Sequence, residues 1–484
     1  MEKTIRRKTT DGLIWNTLQK LLSKGLQLVF SILIARILLP EDYGLIAIAN
    51  LFIALSDVLI DSGFAKALIR QNDKGEADYS TVFWFNLMAS CTLYALLFAV
   101  APLIAGYYEA EALTPIIRAI SLSLIINAIC GVQSLHMIVE MDFRSLAILE
   151  TTAMAIGGIA GLLLAMHGAG VWALVAQTLV GCSLRTILIW IKGRWRPSRI
   201  FSGKILRSYF SFGSRLLLSE FANRLYGSIF TLTIGKRFSQ AQLGYYGKAD
   251  AFASTPSSIV SGPLSSVTFP AMAKIQDEKE RMKESSVYMM GLTSLVVFPL
   301  FLGLAAVAEA LVPALLTEKW NGMIPLLQLL PLAYLLGALQ VIPQNILMIL
   351  GDSSSILRIQ LISKGLGLAL LFPLAGISLE AVCLDIVGVA ALSFALTLLS
   401  VRRKAGIRLR EMLSSMLPSA LISLAMAGVV LLCVRAIPAH AAGMLAGIAS
   451  GIISYALLSL AANKKQLGLL KTIIQPYFTK SDSR

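Results

Sequence analysis

The chain has 484 residues, of which 56% are hydrophobic and 14% charged, and its formal net charge is +15. A mean hydropathy of +0.75 is well above that of soluble domains, so the sequence predicts an all-α polytopic membrane protein. The basic residues lie in short loops between apolar runs, which argues against nucleic acid as a partner and favours membrane lipids.

A helix needs about 20 apolar residues to cross the hydrocarbon core of a bilayer. On this criterion we predict fourteen transmembrane helices; closely spaced segments leave twelve or thirteen as alternatives. The predicted spans are residues 13–38, 44–66, 81–106, 114–136, 146–167, 170–191, 207–234, 245–271, 287–309, 323–350, 356–377, 379–400, 413–435 and 440–462.

The first twelve spans divide into two related halves. The segment FSILIAR at Phe30–Arg36 aligns with FTLTIGK at Phe230–Lys236, and Gly44 aligns with Gly244. This repeat predicts two pseudo-symmetric six-helix lobes followed by two further helices. The predicted parts are an N-lobe at 1–191, a cytoplasmic linker at 192–206, a C-lobe at 207–400, the last two helices within 401–462 and a cytoplasmic tail at 463–484.

The loops predict the orientation of the helices. Basic clusters such as Lys192–Arg196 and Arg402–Arg410 fall in alternate loops, whereas the opposite loops carry few bases, such as Lys319 and Arg435. Cytoplasmic loops are enriched in Lys and Arg, so both termini are expected in the cytoplasm.

Two predicted spans carry a polar stripe along one helical face. The first contains Ser23 and Gln27, and the second contains Asn223 and Thr231, at steps of three or four residues. Polar faces within a membrane argue for an aqueous interior. The predicted cavity-lining polar residues are Gln27, Asn223, Ser258 and Ser261.

Four bases would make this interior electropositive: Lys20, Lys24, Arg215 and Arg224. A cationic cavity suits an anionic solute such as phosphate or pyrophosphate. Lys24 and Arg224 lie near mid-span at matching repeat positions, with Glu220 the expected partner of the bases. The alternative, strongest for Lys20 and Arg215, is that the side chains reach to the interface from helix ends.

Asp57 and Asp61 in the second span are candidates for a coupling site that binds H⁺ or Na⁺, although Asp61 precedes Ser62-Gly63 and could instead mark a helix end. The three histidines, His136, His167 and His440, are far apart, and no nucleotide-binding motif is present. We therefore predict no metal site, no cofactor and no enzymatic activity.

Three motifs resemble the polysaccharide-exporting, Wzx-type flippases of the multidrug/oligosaccharidyl-lipid/polysaccharide superfamily, particularly the colanic-acid and capsule branch. They are G-L-I-W-N-T-L…I-L-I-A-R-I-L-L-P-E-D-Y-G-L-I-A-I-A within 12–49, W-R-P at 195–197 and V-T-F-P-A-M-A-K-I-Q-D-E-K-E-R at 267–281. The second repeat departs from the first motif, with Gln240-Ala-Gln-Leu-Gly244 in place of Pro-Glu-Asp-Tyr-Gly.

The resemblance implies a flippase of the bacterial inner membrane that moves undecaprenyl-pyrophosphate-linked oligosaccharides to the periplasmic leaflet by alternating access. A polysaccharide polymerase and export complex would be partners. The alternatives within the superfamily are a cation-coupled multidrug exporter and a lipid II flippase. From another class, the alternative is a membrane-embedded polysaccharide polymerase or transferase.

Overall fold

The structure, a computed structural model, describes residues 22–61, 64, 68 and 75–462. All regular structure in these ranges is helical. The α-helices are α1 (22–37), α2 (Pro40–Asp61), α3 (Glu76–Tyr107), α4 (Leu113–Ile120), α5 (Leu122–Val139), α6 (Phe143–Met166), α7 (Trp172–Lys192), α8 (Gly203–Arg237), α9 (Gln240–Ala273), α10 (Lys279–Leu316), α11 (Ile324–Ile349), α12 (Ser353–Leu374), α13 (Leu379–Ala405), α14 (Leu409–Ala436) and α15 (His440–Ala462), and a short 3₁₀-helix, Glu318–Met323, precedes α11.

Eleven helical segments in the described ranges are long and apolar enough to cross a membrane. This confirms the predicted all-α, multi-pass architecture. The long helices α8 and α9 fall outside those eleven segments. They contain the predicted second polar stripe and the predicted cavity-lining residues Ser258 and Ser261. Their polarity identifies them as helices that need a partner other than lipid.

Two predicted spans differ in detail from the structure. The span predicted at 114–136 consists of two helices, α4 and α5, which are separated at Ser121. The span predicted at 287–309 lies within α10, whose 38 residues extend about 57 Å at the usual rise per residue. This helix is longer than a bilayer core of about 30 Å, so part of it must project beyond the hydrocarbon.

The structure divides into two compact units, Met1–Gly244 and Tyr245–Arg484. In the first unit α6 packs along α7, and α8 packs along α2. In the second unit α10 packs against α11 and α14, and α11 packs against α13. The core of the second unit contains Phe301, Leu339 and Ile342, all fully buried. The lobe boundaries inferred from the repeat remain a prediction.

The segment between α7 and α8 is held against α3. Trp195 is buried and packs against Tyr79 and Phe83, at ring-centroid distances of 6.1 and 5.9 Å. The carbonyl oxygen of Ser198 accepts a hydrogen bond of 2.9 Å from the indole of Trp84. The W-R-P motif therefore contributes a buried anchor. The linker ends at Gly203, which is the first residue of α8.

The two repeat copies start their second helices in the same way. At the start of α2, a carboxylate oxygen of Asp42 accepts a hydrogen bond from the Leu39 backbone N–H at 3.1 Å. At the start of α9, the amide oxygen of Gln242 accepts from the Ser239 N–H, also at 3.1 Å. Each bond satisfies a backbone donor that a helix N-terminus leaves unpaired. Gln242 thus replaces Asp42 in the second copy although the motif itself is absent there.

The aligned glycines Gly44 and Gly244 explain the glycine of the Pro-Glu-Asp-Tyr-Gly element. A Cβ atom at Gly44 would overlap the carbonyl oxygen of Gln240, and one at Gly244 would overlap the carbonyl oxygen of Pro40. Both obstacles are backbone atoms, which cannot move aside as a flexible side chain can. Residues 40–44 and 240–244 therefore approach so closely that only glycine fits at either position.

We expect Gly44→Ala and Gly244→Ala each to destabilise the protein by about 1–3 kcal/mol or more, because the added methyl group meets backbone. The measurement is the thermal unfolding of the purified protein in detergent. Gly106→Ala in α3 is the matched control, since a Cβ there meets nothing within 4 Å. Unfolding temperatures of all three variants equal to that of the wild type would contradict the close approach.

Candidate functional site

A polar cavity of about 600 Å³ lies between α2 and α8 within the first unit. We refer to it as the α2–α8 cavity. One wall is formed by α2, which contributes small and apolar side chains and one amide side chain, that of Asn50. The other wall is formed by the polar face of α8. The lining residues are Ala47, Asn50, Leu51, Ala54 and Val58 from α2, and Glu220, Asn223, Arg224, Gly227, Ser228 and Thr231 from α8.

The polar wall follows from the sequence of α8. Glu220, Asn223, Gly227 and Thr231 recur at steps of three or four residues, so they share one face of the helix. Arg224 lies four residues after Glu220, which puts base and acid on the same face. Such a face would be unstable against acyl chains, and in this structure it lines a cavity.

The groups in the α2–α8 cavity are suited to an anionic ligand with polar substituents. The guanidinium of Arg224 can donate two parallel hydrogen bonds to a phosphate or carboxylate. The amides of Asn50 and Asn223 each offer both donors and acceptors. Glu220 limits the positive charge and can accept hydrogen bonds from hydroxyl groups of a ligand.

The structure brings together some of the predicted site residues and not others. Arg224 and Asn223 both line the α2–α8 cavity. On α1, Lys24 and Gln27 are exposed and are not among its lining residues. Asp57 is half-buried on α2, Ser261 is half-buried on α9, and Ser258 on α9 is exposed. Lys20 and the side chains of Asp61 and Arg215 lie outside the described residues.

A second polar cavity in the first unit, of about 460 Å³, is centred on an ion pair between α6 and α7. An Nη2 atom of Arg185 lies 2.9 Å from an Oε1 atom of Glu150, and the two side chains are 35% and 24% exposed. Ser23 of α1, Asn127 of α5 and Gln177 of α7 also line this α6–α7 cavity.

Glycines allow the helices around the α6–α7 cavity to pack closely. A Cβ atom at Gly157 of α6 would lie 2.8 Å from the Cα of Gly181 in α7. At Gly158, a Cβ would overlap the ring of Phe30, which seats α1 against α6. This close packing holds Glu150 and Arg185 within reach of each other. Arg185 was not predicted as a site residue, although a single base inside the apolar sequence of α7 is a signal for a polar partner.

The second unit contains its own buried polar groups. The hydroxyl of Tyr334 in α11 donates a hydrogen bond of 2.6 Å to Asp250 in α9. Lys248 is buried, with its ammonium 5.9 Å from the ring centroid of Trp320. Asp385 in α13 is also buried. Neither Lys248 nor Asp250 was predicted as a site residue from the sequence. In the described ranges, no group of three His, Cys, Asp or Glu side chains is arranged to hold a metal ion.

Comparison with known proteins identifies the family. A model of the polysaccharide biosynthesis protein family matches residues 33–325, which is more than half of the chain. The chain belongs to this family. The match covers α2 and α8, whose residues line the α2–α8 cavity, and it confirms the resemblance found in the motifs.

Three relatives align over about two thirds of this chain. The lipopolysaccharide biosynthesis protein WzxC of Escherichia coli is 28% identical over 333 residues, covering 68% of this chain and 67% of WzxC. The succinoglycan biosynthesis transport protein ExoT of Rhizobium meliloti is 28% identical, covering 69% and 68%. The teichuronic acid biosynthesis protein TuaB of Bacillus subtilis is 27% identical, covering 69% and 70%.

Solved structures share the fold. The lipid II flippase MurJ in an inward closed conformation superposes with a TM-score of 0.73 at 13% identity, covering 96% of this chain and all of MurJ. An inward-facing multidrug transporter of the MATE family, in the MOP superfamily, has a TM-score of 0.61 at 14% identity, covering 78% and 94%. The family is one of polysaccharide biosynthesis, and ExoT and MurJ are named as a transport protein and a flippase, as predicted for a transporter and not for an enzyme. The chain is therefore a multi-pass membrane protein of polysaccharide biosynthesis.

The ion pair in the α6–α7 cavity gives a testable stability effect. Glu150→Gln or Arg185→Gln removes one member of the ion pair between the two helices, and we expect each to cost about 2 kcal/mol. This lies between the cost for a surface pair and that for a fully buried pair. The double variant Glu150→Gln/Arg185→Gln should recover most of the loss, because neither charge remains. Thermal unfolding of all four proteins checks this, and losses that simply add in the double variant would contradict the pairing.

Proposed function

We propose that this protein is a flippase that moves undecaprenyl-pyrophosphate-linked oligosaccharide repeat units from the cytoplasmic to the periplasmic leaflet by alternating access. The polymer assembled from these units would be a surface polysaccharide: a capsule, an exopolysaccharide or an O-antigen. The observation that carries the proposal is the α2–α8 cavity, in which Arg224, Asn223 and Asn50 surround a polar space between transmembrane helices.

The chemistry of the cavity supports a pyrophosphate-linked sugar. Its volume of about 600 Å³ is within the usual range of sites for small ligands. A pyrophosphate is anionic and presents oxygens in the geometry that a guanidinium recognises. Sugar hydroxyls pair with amide and carboxylate groups, which Asn50, Asn223 and Glu220 supply. A hydrophobic cation would find one carboxylate, Glu220, but it would be repelled by Arg224 and would leave the two amides unused.

The proposal includes the topology. Each of the fourteen spans predicted from the sequence overlaps a helical segment in the described residues. We infer fourteen transmembrane helices in two six-helix lobes with two helices appended, and both termini in the cytoplasm of the bacterial inner membrane. Asp57 and Asp61 remain our candidates for coupling to H⁺ or Na⁺. A polysaccharide polymerase and export complex would receive the transported unit.

A lipid II flippase is the second candidate, because the likeness to MurJ extends over 96% of this chain. That likeness shows the fold alone, whereas the relatives named above belong to polysaccharide pathways. A cation-coupled drug exporter shares the fold too, but the base in the α2–α8 cavity argues against a cationic drug.

Deletion of the gene tests the function. We expect the surface polysaccharide to be lost and undecaprenyl-pyrophosphate-linked repeat units to accumulate, since units that are not translocated cannot be polymerised. Mass spectrometry of the extracted lipids, with the wild-type gene restored as the control, measures this. Normal polymer in the deletion strain would contradict the proposal, and accumulation of lipid II would favour the second candidate.

Replacement of Arg224 tests the binding role. Loss of one charged hydrogen-bonding group costs about 1.5–3 kcal/mol, so we expect Arg224→Gln to lower export roughly 10- to 100-fold at unchanged protein level. Arg224→Lys should recover part of the activity, because the charge remains but the two-pronged geometry does not. Lys24 is the other predicted cavity base whose side chain the structure describes. Lys24→Gln, measured in parallel, tests whether this base contributes to export.

The control for Arg224 is Arg237→Gln. Arg237 is an exposed base in the last turn of the same helix and is not among the lining residues of the α2–α8 cavity. This variant should retain normal export. An equal decrease in both variants would show that the charge of α8, and not the cavity, is what matters.

A further inference from the structure

The second unit has a basic cavity that the proposed transport cycle does not use. Its volume is about 370 Å³, and it lies between α12 and α13. Arg358 reaches it from α12, while Arg403 and Lys404 reach it from the last turn of α13. We propose that this α12–α13 cavity binds the phosphate headgroup of an anionic phospholipid. The proposal does not depend on the identity of the transported substrate.

The charge of the cavity is the first argument. Three bases line it, together with the hydroxyl-bearing Ser355 and Ser400. Among these bases, Lys404 forms an ion pair with Asp352, with 3.5 Å between its Nζ atom and a carboxylate oxygen. Asp352 also accepts hydrogen bonds from Ser354 and Ser355, at 2.9 and 2.7 Å, which occupy its carboxylate. One acid against three bases leaves the cavity positively charged, as phosphate binding requires.

The origin of the bases is the second argument. Lys and Arg at a helix C-terminus stabilise the helix dipole, and this alone would account for Arg403 and Lys404. It does not account for Arg358, which lies in the second turn of α12 and whose hydrogen bonds, to Ser354 O and Ser355 Oγ, are long at 3.4 and 3.5 Å. Bases from the N-terminal part of α12 and the C-terminal end of α13 line the same cavity. This arrangement indicates a ligand-binding site.

The apolar walls identify the source of the phosphate. Below the bases the cavity is lined by Ile362 of α12 and Leu396 and Leu399 of α13. On the same stretch of α12, Leu361 and Ile362 are 65% and 57% exposed. A free phosphate ion would use only the charged end. A phospholipid uses both, because its headgroup contacts the bases while its acyl chains cover the exposed leucine and isoleucine side chains.

The place in the fold agrees with a lipid headgroup. Arg403 and Lys404 lie in the last turn of α13, which ends at Ala405. The next residue, Gly406, has a left-handed backbone (φ 72°) that terminates the helix. Helix ends of a multi-pass protein lie at the level of the headgroups, where each nearby base attracts anionic lipid. We therefore expect phosphatidylglycerol or another anionic phospholipid to bind here in preference to a zwitterionic one.

The experiment is native mass spectrometry of the purified full-length protein with phosphatidylglycerol or phosphatidylcholine added. The triple variant Arg358→Gln/Arg403→Gln/Lys404→Gln should lose roughly 100-fold in phosphatidylglycerol binding, at about a fivefold loss in affinity for each base removed. Phosphatidylcholine binding should be weak in the wild type and unchanged in the variant.

The matched control is Arg402→Gln/Arg408→Gln/Arg410→Gln. It removes the same charge from neighbouring exposed positions that do not line the α12–α13 cavity, and it should keep most of the binding. An equal loss in both triple variants would overturn the proposal, because general surface charge would then explain the binding. If the cavity variant fails to fold, the single variants Arg358→Gln and Arg402→Gln provide the same comparison.

Competition separates the sources of the phosphate group. Inorganic phosphate at millimolar concentration should not displace phosphatidylglycerol, since it cannot cover the apolar wall. Displacement by inorganic phosphate, preferential retention of undecaprenyl pyrophosphate, or equal binding of phosphatidylcholine would each overturn the assignment to an anionic phospholipid.

Discussion

The structure depends on the free-energy cost of placing polar and charged side chains among apolar helices. A base within a membrane must find a partner, a cavity or the interface, because hydrocarbon offers none of the hydrogen bonds of water. In the first unit, Arg224 lies in the α2–α8 cavity and Arg185 pairs with Glu150. In the second unit, Asp250 is bound by the hydroxyl of Tyr334, and Arg358 joins Arg403 at a helix end. Each arrangement is a different solution to the same constraint.

Close packing of backbone makes these cavities compatible with a stable protein. Transmembrane helices do not associate by the hydrophobic effect, since lipid is as apolar as their side chains, and small residues that allow close approach supply the attraction instead. Gly157 and Gly181 bring α6 against α7, and Gly44 and Gly244 bring residues 40–44 against 240–244. The Pro-Glu-Asp-Tyr-Gly element that ends in Gly44 is therefore a packing element. It positions α2, and with it Asn50 in the cavity.

The α2–α8 cavity and the α12–α13 cavity differ in the ligands that we propose for them. In the α2–α8 cavity the charged groups Glu220 and Arg224 are accompanied by amides, which suit a sugar-bearing ligand that must bind and be released. In the α12–α13 cavity three bases adjoin exposed leucine and isoleucine side chains, which suit a ligand with its own acyl chains. The family assignment concerns polysaccharide biosynthesis, whereas a resident phospholipid would be a property of this chain's own side chains.

The sequence alone determined the helical membrane class, the approximate positions of the helices and the face of α8 that carries Asn223 and Arg224, because hydropathy and helical periodicity are local properties. It also paired Gly44 with Gly244 through the repeat. The tertiary structure decided which faces meet. It paired Arg185 with Glu150, brought Arg358 to Arg403 and Lys404, and left Lys24 exposed on α1. These outcomes depend on the rotation of each helix about its axis and on its neighbours, and both are fixed by packing between segments that are distant in the chain.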